Sequence, residues 1–243
     1  MTKLALILGA AFITLAPAYA NEGGDLPPAN THVGNVASLQ RGAKLFFNYC
    51  VGCHSIKYMR YSRIGEDLGL TEDQVMKNLN VTGGQYGKEI VSAMPVDDAK
   101  TWFGKAPPDL SLEARAKGPD WVYNYLKSFY VDPTRPVGWN NTLFPGASMP
   151  NVLWELQGTQ VAKMGHPSEG GEVHIEKLEL RSRGSQSAQE FDETARDITA
   201  FLQYVGEPAA LKRERLGVWV ILYLAAFTLL AWMLKKEYWK DVH

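Results

Sequence analysis

Cysteine occurs twice in the 243 residues, and both copies stand in one pentapeptide, Cys50-Val51-Gly52-Cys53-His54. Two thiols three positions apart, followed at once by an imidazole, could serve three kinds of chemistry. A redox-active Cys-x-x-Cys pair belongs beside a strand–helix–strand pattern, which this chain lacks. A structural zinc ion normally takes four nitrogen or sulfur ligands. Only His32, His166, His174 and His243 could complete such a set, and no second paired spacing exists. The third possibility is attachment of a c-type haem. On a helical turn the two sulfurs lie on one side, where they can bond the two vinyl-derived carbons of a porphyrin, and the adjacent histidine presents a ring nitrogen to the iron. The third reading fits best, because both cysteines sit here, at the end of an apolar helical stripe.

An iron held by His54 needs a second axial ligand for electron transfer, whereas a vacant position would make a gas sensor. Outside the apolar ends the chain offers Met59, Met76, Met94, Met149 and Met164. Met59 is too close to His54 to reach round a porphyrin, and Met76 falls in an expected helix among charged neighbours. Met94 and Met149, each followed by proline, remain. The turn-rich Phe144-Pro145-Gly146-Ala147-Ser148 favours Met149, since such a loop can lay a thioether against an open face; the competing use of this side chain is as core filler.

Three helices are needed to position these groups. Leu39, Ala43, Phe46, Phe47 and Cys50 recur at helical spacing. Pro119 stands where a first helical residue would, ahead of Trp121, Tyr125, Leu126 and Phe129. Ala188, Phe191, Ala195, Ile198, Leu202 and Val205 draw one long stripe, opened by a Ser187/Glu190 capping box and stopped by Gly206 and Pro208. Between these lie long stretches rich in Gly, Pro and Asn, Val81 to Pro108 and Val131 to Met149, which need a surface to order them.

Both ends read as segments outside the folded domain. Residues 1–20 carry Lys3, an apolar run from Leu4 to Leu15 and the small-x-small Ala18-Tyr19-Ala20, the pattern of a secretory signal cleaved after Ala20. Leu216 to Leu234 holds 19 residues without a charge, bracketed by Lys212, Arg213 and Arg215 before and Lys235, Lys236 and Lys240 after, and it is long enough to cross a bilayer. The expected organisation is therefore a signal peptide (1–20), an exported domain (21–211) and a transmembrane anchor with a short cytoplasmic tail (212–243). Composition is that of a globular protein: 46% hydrophobic, 21% charged, formal net charge -1, which excludes a disordered chain, a disulfide scaffold and a nucleic-acid footprint. Residues 21–211 hold 18 basic and 23 acidic side chains, a net charge of -5. The acidic residues gather at Glu66-Asp67, Glu72-Asp73, Asp97-Asp98 and Glu169, Glu172, Glu176, Glu179, so a basic soluble partner is expected.

Cys50 to His54 followed by Ser55 and Tyr61, then Ala106-Pro107-Pro108-Asp109-Leu110-Ser111, Arg115, Gly118, Asp120, the Phe144-Pro145-Gly146 loop to Met149 and one C-terminal anchor together resemble the cytochrome c1 family, the haem subunits of cytochrome bc1 complexes. The resemblance covers essentially all of the chain after residue 20. It implies a mainly α fold, a c-type cytochrome domain with long haem-packing loops plus one C-terminal transmembrane helix. It implies one covalently bound haem c, held by Cys50 and Cys53, with His54 and Met149 as axial ligands and Arg115 against a haem propionate. It also implies a place beside the haem for Trp121, where the family usually has tyrosine. The implied role is that of an electron-transfer subunit of quinol:cytochrome c oxidoreductase with no substrate chemistry of its own. Electrons would come from the Rieske iron–sulfur protein and leave to a soluble c-type cytochrome, with cytochrome b beside the anchor, in a dimeric complex. The location implied is a bacterial inner membrane, crossed once, with the haem domain on the periplasmic side. A membrane-tethered monohaem cytochrome of an oxidase chain would use the same haem motif but lack the Pro-Pro-Asp-Leu segment.

Overall fold

The computed structural model describes residues 26–165 and 175–241; the signal segment expected at 1–20, and Glu169 and Glu172, lie outside the described residues. The chain belongs to the mainly helical class, with nine helices and three two-stranded antiparallel sheets among the described residues.

Two long helices form the frame. Helix α1 (Val36–Tyr49) starts where the Asn35 side chain accepts the Ser38 N–H, and it buries Leu39, Ala43, Phe46 and Phe47. The capping box anticipated at Ser187 and Glu190 is formed, and it opens the 19-residue helix whose apolar stripe lies against α1. The two approach so closely that a Cβ on Gly42 would sit 2.0 Å from the Asp197 carbonyl oxygen. Asp197 is itself buried and is matched by the Ser38 hydroxyl and the Arg41 guanidinium. Phe46, Phe47, Phe201 and Tyr61 interlock between the helices, with neighbouring ring centroids 5.5 to 6.4 Å apart.

In chain order after α1 come β1 (Ile56–Arg60), α2 (Tyr61–Leu68), α3 (Glu72–Asn78), β2 (Glu89–Ile90), α4 (Val96–Phe103), α5 (Glu113–Ala116), α6 (Pro119–Lys127), β3 (Phe129–Val131), β4 (Trp139–Asn141), α7 (Trp154–Gln157), β5 (Gly158–Met164), β6 (Ile175–Arg183), α8 (Ala188–Gly206) and α9 (Ala210–Tyr238). Proline opens α6 as expected, and α5 and α6 both pack on α8. The two stretches read as long loops are more ordered than that. Val81 to Pro108 contains β2, paired with β1, and α4; Val131 to Met149 contains β4, paired with β3 from Phe129↔Asn141 to Val131↔Trp139. Strands this short carry no readable alternation, since each is fixed by its partner across the sheet. Strands β5 and β6 form a longer hairpin, tied to the body where Gln160 Nε2 donates to the Lys127 and Phe129 carbonyls.

Helix α9 follows α8 after three residues. Its segment Leu216–Tyr238 is long and apolar enough to cross a membrane, about 35 Å at 1.5 Å per residue. Its side chains are exposed on every side, with no polar stripe. It fits a single-pass membrane anchor.

Because the α1–α8 crossing leaves no room at Gly42, Gly42→Ala should lower stability by about 1–3 kcal/mol through overpacking, a fall of several degrees in thermal unfolding of the chain in detergent. Gly87→Ala, where an added methyl meets nothing within 4 Å, is the control and should leave the melt in place. Equal melts for the two variants would show that the helices can part at no cost.

Candidate haem site

Where α1 ends, the chain makes one more tight turn: the Cys53 and His54 amides both donate to the Cys50 carbonyl, at 3.0 and 2.9 Å. That turn puts Cys50, Cys53 and His54 on the wall of a cavity of about 520 Å³. The other walls are Pro107, Pro108 and Leu110, the Trp121, Val122, Tyr125 and Leu126 face of α6, the Phe144 to Met149 loop, and Ile198 and Leu202 of α8. Both thiols are free. Burial pushes Cys50 up to about 12 and Cys53 upward too. Burial thus disfavours the thiolate at both positions, the opposite of the lowered thiol that a dithiol redox centre uses.

His54 is 8% exposed, and its Nδ1–H donates to the Pro108 carbonyl at 2.8 Å. A carbonyl only accepts, so the ring proton is on Nδ1 and the Nε2 lone pair is left for a metal. Burial pushes the ring's pKa down, against the opposing pull of the Pro108 carbonyl, Glu113 and Asp109, and keeps the imidazole neutral. The Pro-Pro-Asp-Leu-Ser segment earns its composition here. Pro107 and Pro108 each fix φ, which stiffens the backbone that leads to the Pro108 carbonyl. Asp109 accepts the Lys57 and Ser111 amides, the Ser111 hydroxyl accepts the Tyr58 amide, and the Leu110 amide donates to the Ser55 carbonyl. The segment is thereby stitched to the residues that follow His54.

Met149 lines the cavity and Met94 does not. Asn141, fully buried, holds the loop before Met149: its Oδ1 accepts the Leu143 and Phe144 amides, and its Nδ2 donates to the Tyr125 carbonyl. Asn140 accepts the Gly146 amide and Arg135 donates to the Gly146 carbonyl, at a left-handed turn, φ +79°, that suits glycine. The Tyr125 hydroxyl donates to Met149 Sδ at 3.6 Å. Burial, with a smaller contribution from Glu113, pushes this phenol up to about 12, so it stays a donor.

Trp121 is in the cavity wall, stacked on Tyr125 with centroids 4.9 Å apart. Arg115 is not brought to the cavity. Its side chain is 60% exposed and pairs with Glu207 at 3.4 Å. The basic side chains that line the cavity are Lys105, over the Phe144 ring, and Lys117, over the Trp121 ring. Sequence reasoning passed over Lys117, Tyr125 and Asn141; Tyr125 alone had a visible signal, one helical turn beyond Trp121. The residues fit a c-type haem: a large apolar cavity, two free thiols and a neutral imidazole on one segment, and a thioether brought in by another.

The model of the Cytochrome C1 family matches residues 30–242. The chain is 53% identical to a cytochrome c1 of Allochromatium vinosum over the full length of both. It is 41% identical to the ammonia monooxygenase gamma subunit of Nitrosomonas europaea, across 95% of this chain and 96% of that one. It is 27% identical to the cytochrome b/c1 of Bradyrhizobium diazoefficiens, where 97% of this chain matches 39% of the relative.

If Asn141 is what holds the loop, Asn141→Ala frees two amides at a cost of about 1–3 kcal/mol. Amide exchange at Leu143 and Phe144 should then quicken by about tenfold or more. Unchanged exchange at both positions would assign the loop's order to other contacts.

Proposed function

The chain belongs to the cytochrome c1 family, the haem subunits of bc1 complexes, and on that footing we propose that it carries one covalent haem c in the cavity and relays electrons from the Rieske iron–sulfur protein to a soluble c-type cytochrome. The observation that carries the reading is the meeting, in one apolar cavity, of the Cys50/Cys53/His54 turn with Met149. When bound, the haem supplies a one-electron couple. The protein's part is to hold and tune it. Cys50 and Cys53 would take the two vinyl-derived carbons, and His54 through Nε2 and Met149 through its sulfur would hold the iron. Trp121, in the cavity wall, would pack beside the macrocycle. Lys117 and Lys105, in place of Arg115, are the cations that would meet the propionates. Apolar walls around a Met/His-ligated iron favour a raised potential.

The proposed topology is a signal peptide over residues 1–20, a periplasmic domain over 21–211 and an anchor over 212–243 in a bacterial inner membrane. The Bradyrhizobium relative, whose name joins cytochrome b to c1, supports cytochrome b as the neighbour of the anchor. The complex would be dimeric. The name of the Nitrosomonas relative marks out the rival assembly to test against. Purifying the complex through this chain should bring down cytochrome b and an iron–sulfur protein; an ammonia monooxygenase or a terminal oxidase as the companion would overturn the reading.

Met149→Leu should keep the covalent haem, since the thioether bonds do not depend on it, but lose the weak red-end absorption of sulfur ligation, lower the potential and stop quinol-driven reduction of the soluble cytochrome. Met94→Leu should leave all of these unchanged. The reverse pattern would give the ligand to Met94.

The net charge of -5 on residues 21–211 leads to a kinetic expectation. Oxidation by a basic soluble cytochrome, followed by stopped flow, should slow as the Debye length shrinks from about 30 Å at 0.01 M salt to about 8 Å at 0.15 M. A flat salt dependence would reduce the carboxylates to ordinary solvated surface.

A further inference from the structure

Among the described residues, Tyr125 is the one cavity-lining phenol whose hydroxyl bonds another cavity-lining group, and that group is sulfur. A half-buried hydroxyl in an apolar wall needs a partner, and a thioether is a weak acceptor that would not hold a mobile phenol by itself. The residue is instead fixed by two ring contacts and by its backbone. It stacks on Trp121 at 4.9 Å and 10°, meets Phe129 edge-on at 5.0 Å and 71°, and its own carbonyl accepts from Asn141. Asn141 is also the anchor of the loop that leads to Met149. One buried amide therefore sets both ends of the O–H···S contact, which is a property of the scaffold and not of side-chain drift.

We propose that Tyr125 is a positioning residue for the sulfur ligand: its phenol proton occupies one lone pair of Met149 Sδ, leaves the other as the pair available to iron, and draws electron density from the sulfur. This rests on the reading of Met149 as the axial ligand. Ferric iron depends more on electron donation from its ligands than ferrous iron does, so a donor aimed at the sulfur favours the reduced state and raises the potential. The effect needs no charge on Tyr125. It comes from a neutral hydrogen bond in an apolar wall, where such bonds are electrostatically stronger than in water.

The test is a redox titration of the haem-loaded full chain in its purified complex. Tyr125→Phe keeps the stacking and removes only the donor. The red-end band of sulfur ligation should persist, and the equilibrium constant for reduction by a fixed couple should fall about threefold, about 30 mV at 59 mV per decade. Tyr123→Phe is the control: it is on the same helix, but its hydroxyl donates to Asp192 and it does not line the cavity. It should leave the potential unchanged. An unaltered potential in Tyr125→Phe with the band intact overturns the proposal, as does an equal fall in Tyr123→Phe, which would mark general loosening. A fluorotyrosine placed at 125, a stronger donor of nearly the same shape, should shift the potential upward, and no shift there also overturns the proposal should the Phe variant fail to fold. Retention of the red-end band in Met149→Leu would be a different failure, that of the ligand assignment itself.

Discussion

The hydrogen bond from the His54 ring to the Pro108 carbonyl is the constraint on which the site depends. An imidazole can offer a metal either nitrogen, and a ring free to turn would offer both. Donation of Nδ1–H to a carbonyl at 2.8 Å leaves one tautomer and one lone pair. The carbonyl has to be held as firmly as the ring, and this explains a segment far away in sequence. Proline at 107 and 108, the Asp109 carboxylate on two amides and the Ser111 hydroxyl on a third fix Pro108 to the strand that leaves the haem motif. Loss of Asp109 or Ser111 would act on the histidine without touching it.

The sulfur side of the cavity is built on the same plan with different parts. Met149 is carried by a loop, and loops take up fixed positions only where buried polar groups hold them. Asn140, Asn141 and Arg135 supply those groups through five hydrogen bonds to the loop backbone or to the neighbouring helix. Each side of the cavity thus combines a group with metal-binding chemistry and polar residues that never reach the cavity but fix that group's direction. The polar residues are costly to bury and unhelpful to general stability. For Asn141 that cost is offset because both its Oδ1 and its Nδ2 are paired, whereas Arg135 pairs through Nη2 and leaves Nε buried without a partner among the described residues.

How much of this could be read beforehand follows from the range of the interactions. The Cys50–His54 motif, the capping box at Ser187 and the proline start of α6 are local, and each is where the spacing put it. Met149, not Met94, reaches the cavity, as the turn-rich loop ahead of it favoured. The expectations that differ from the structure all concern contacts between distant segments. The strands β2 and β4 exist only because of their partners. Arg115 and Lys117 are two residues apart on one helical turn and its cap, so they point in different directions, and motif order alone cannot say which faces the cavity. Asn141 is an unremarkable loop residue until its partners, 16 residues back and two and three ahead, are known.

Arg115 still has a place in the architecture, though a different one. Its partner Glu207 follows the last residue of α8 and also pairs with Arg213 near the start of the apolar helix. Ion pairs this exposed contribute about 0–1 kcal/mol each, so they cannot by themselves fix the anchor to the domain. Packing does more. Helix α8 buries Phe191, Ala195, Ile198, Leu202 and Val205, and a Cβ on its last residue, Gly206, would be only 3.3 Å from the Arg115 Cβ. The same helix supplies Ile198 and Leu202 to the cavity wall. Only three residues separate its end from α9. The cavity is therefore tied to the membrane-crossing segment through one buried helix, with the exposed Arg115–Glu207–Arg213 cluster at its end.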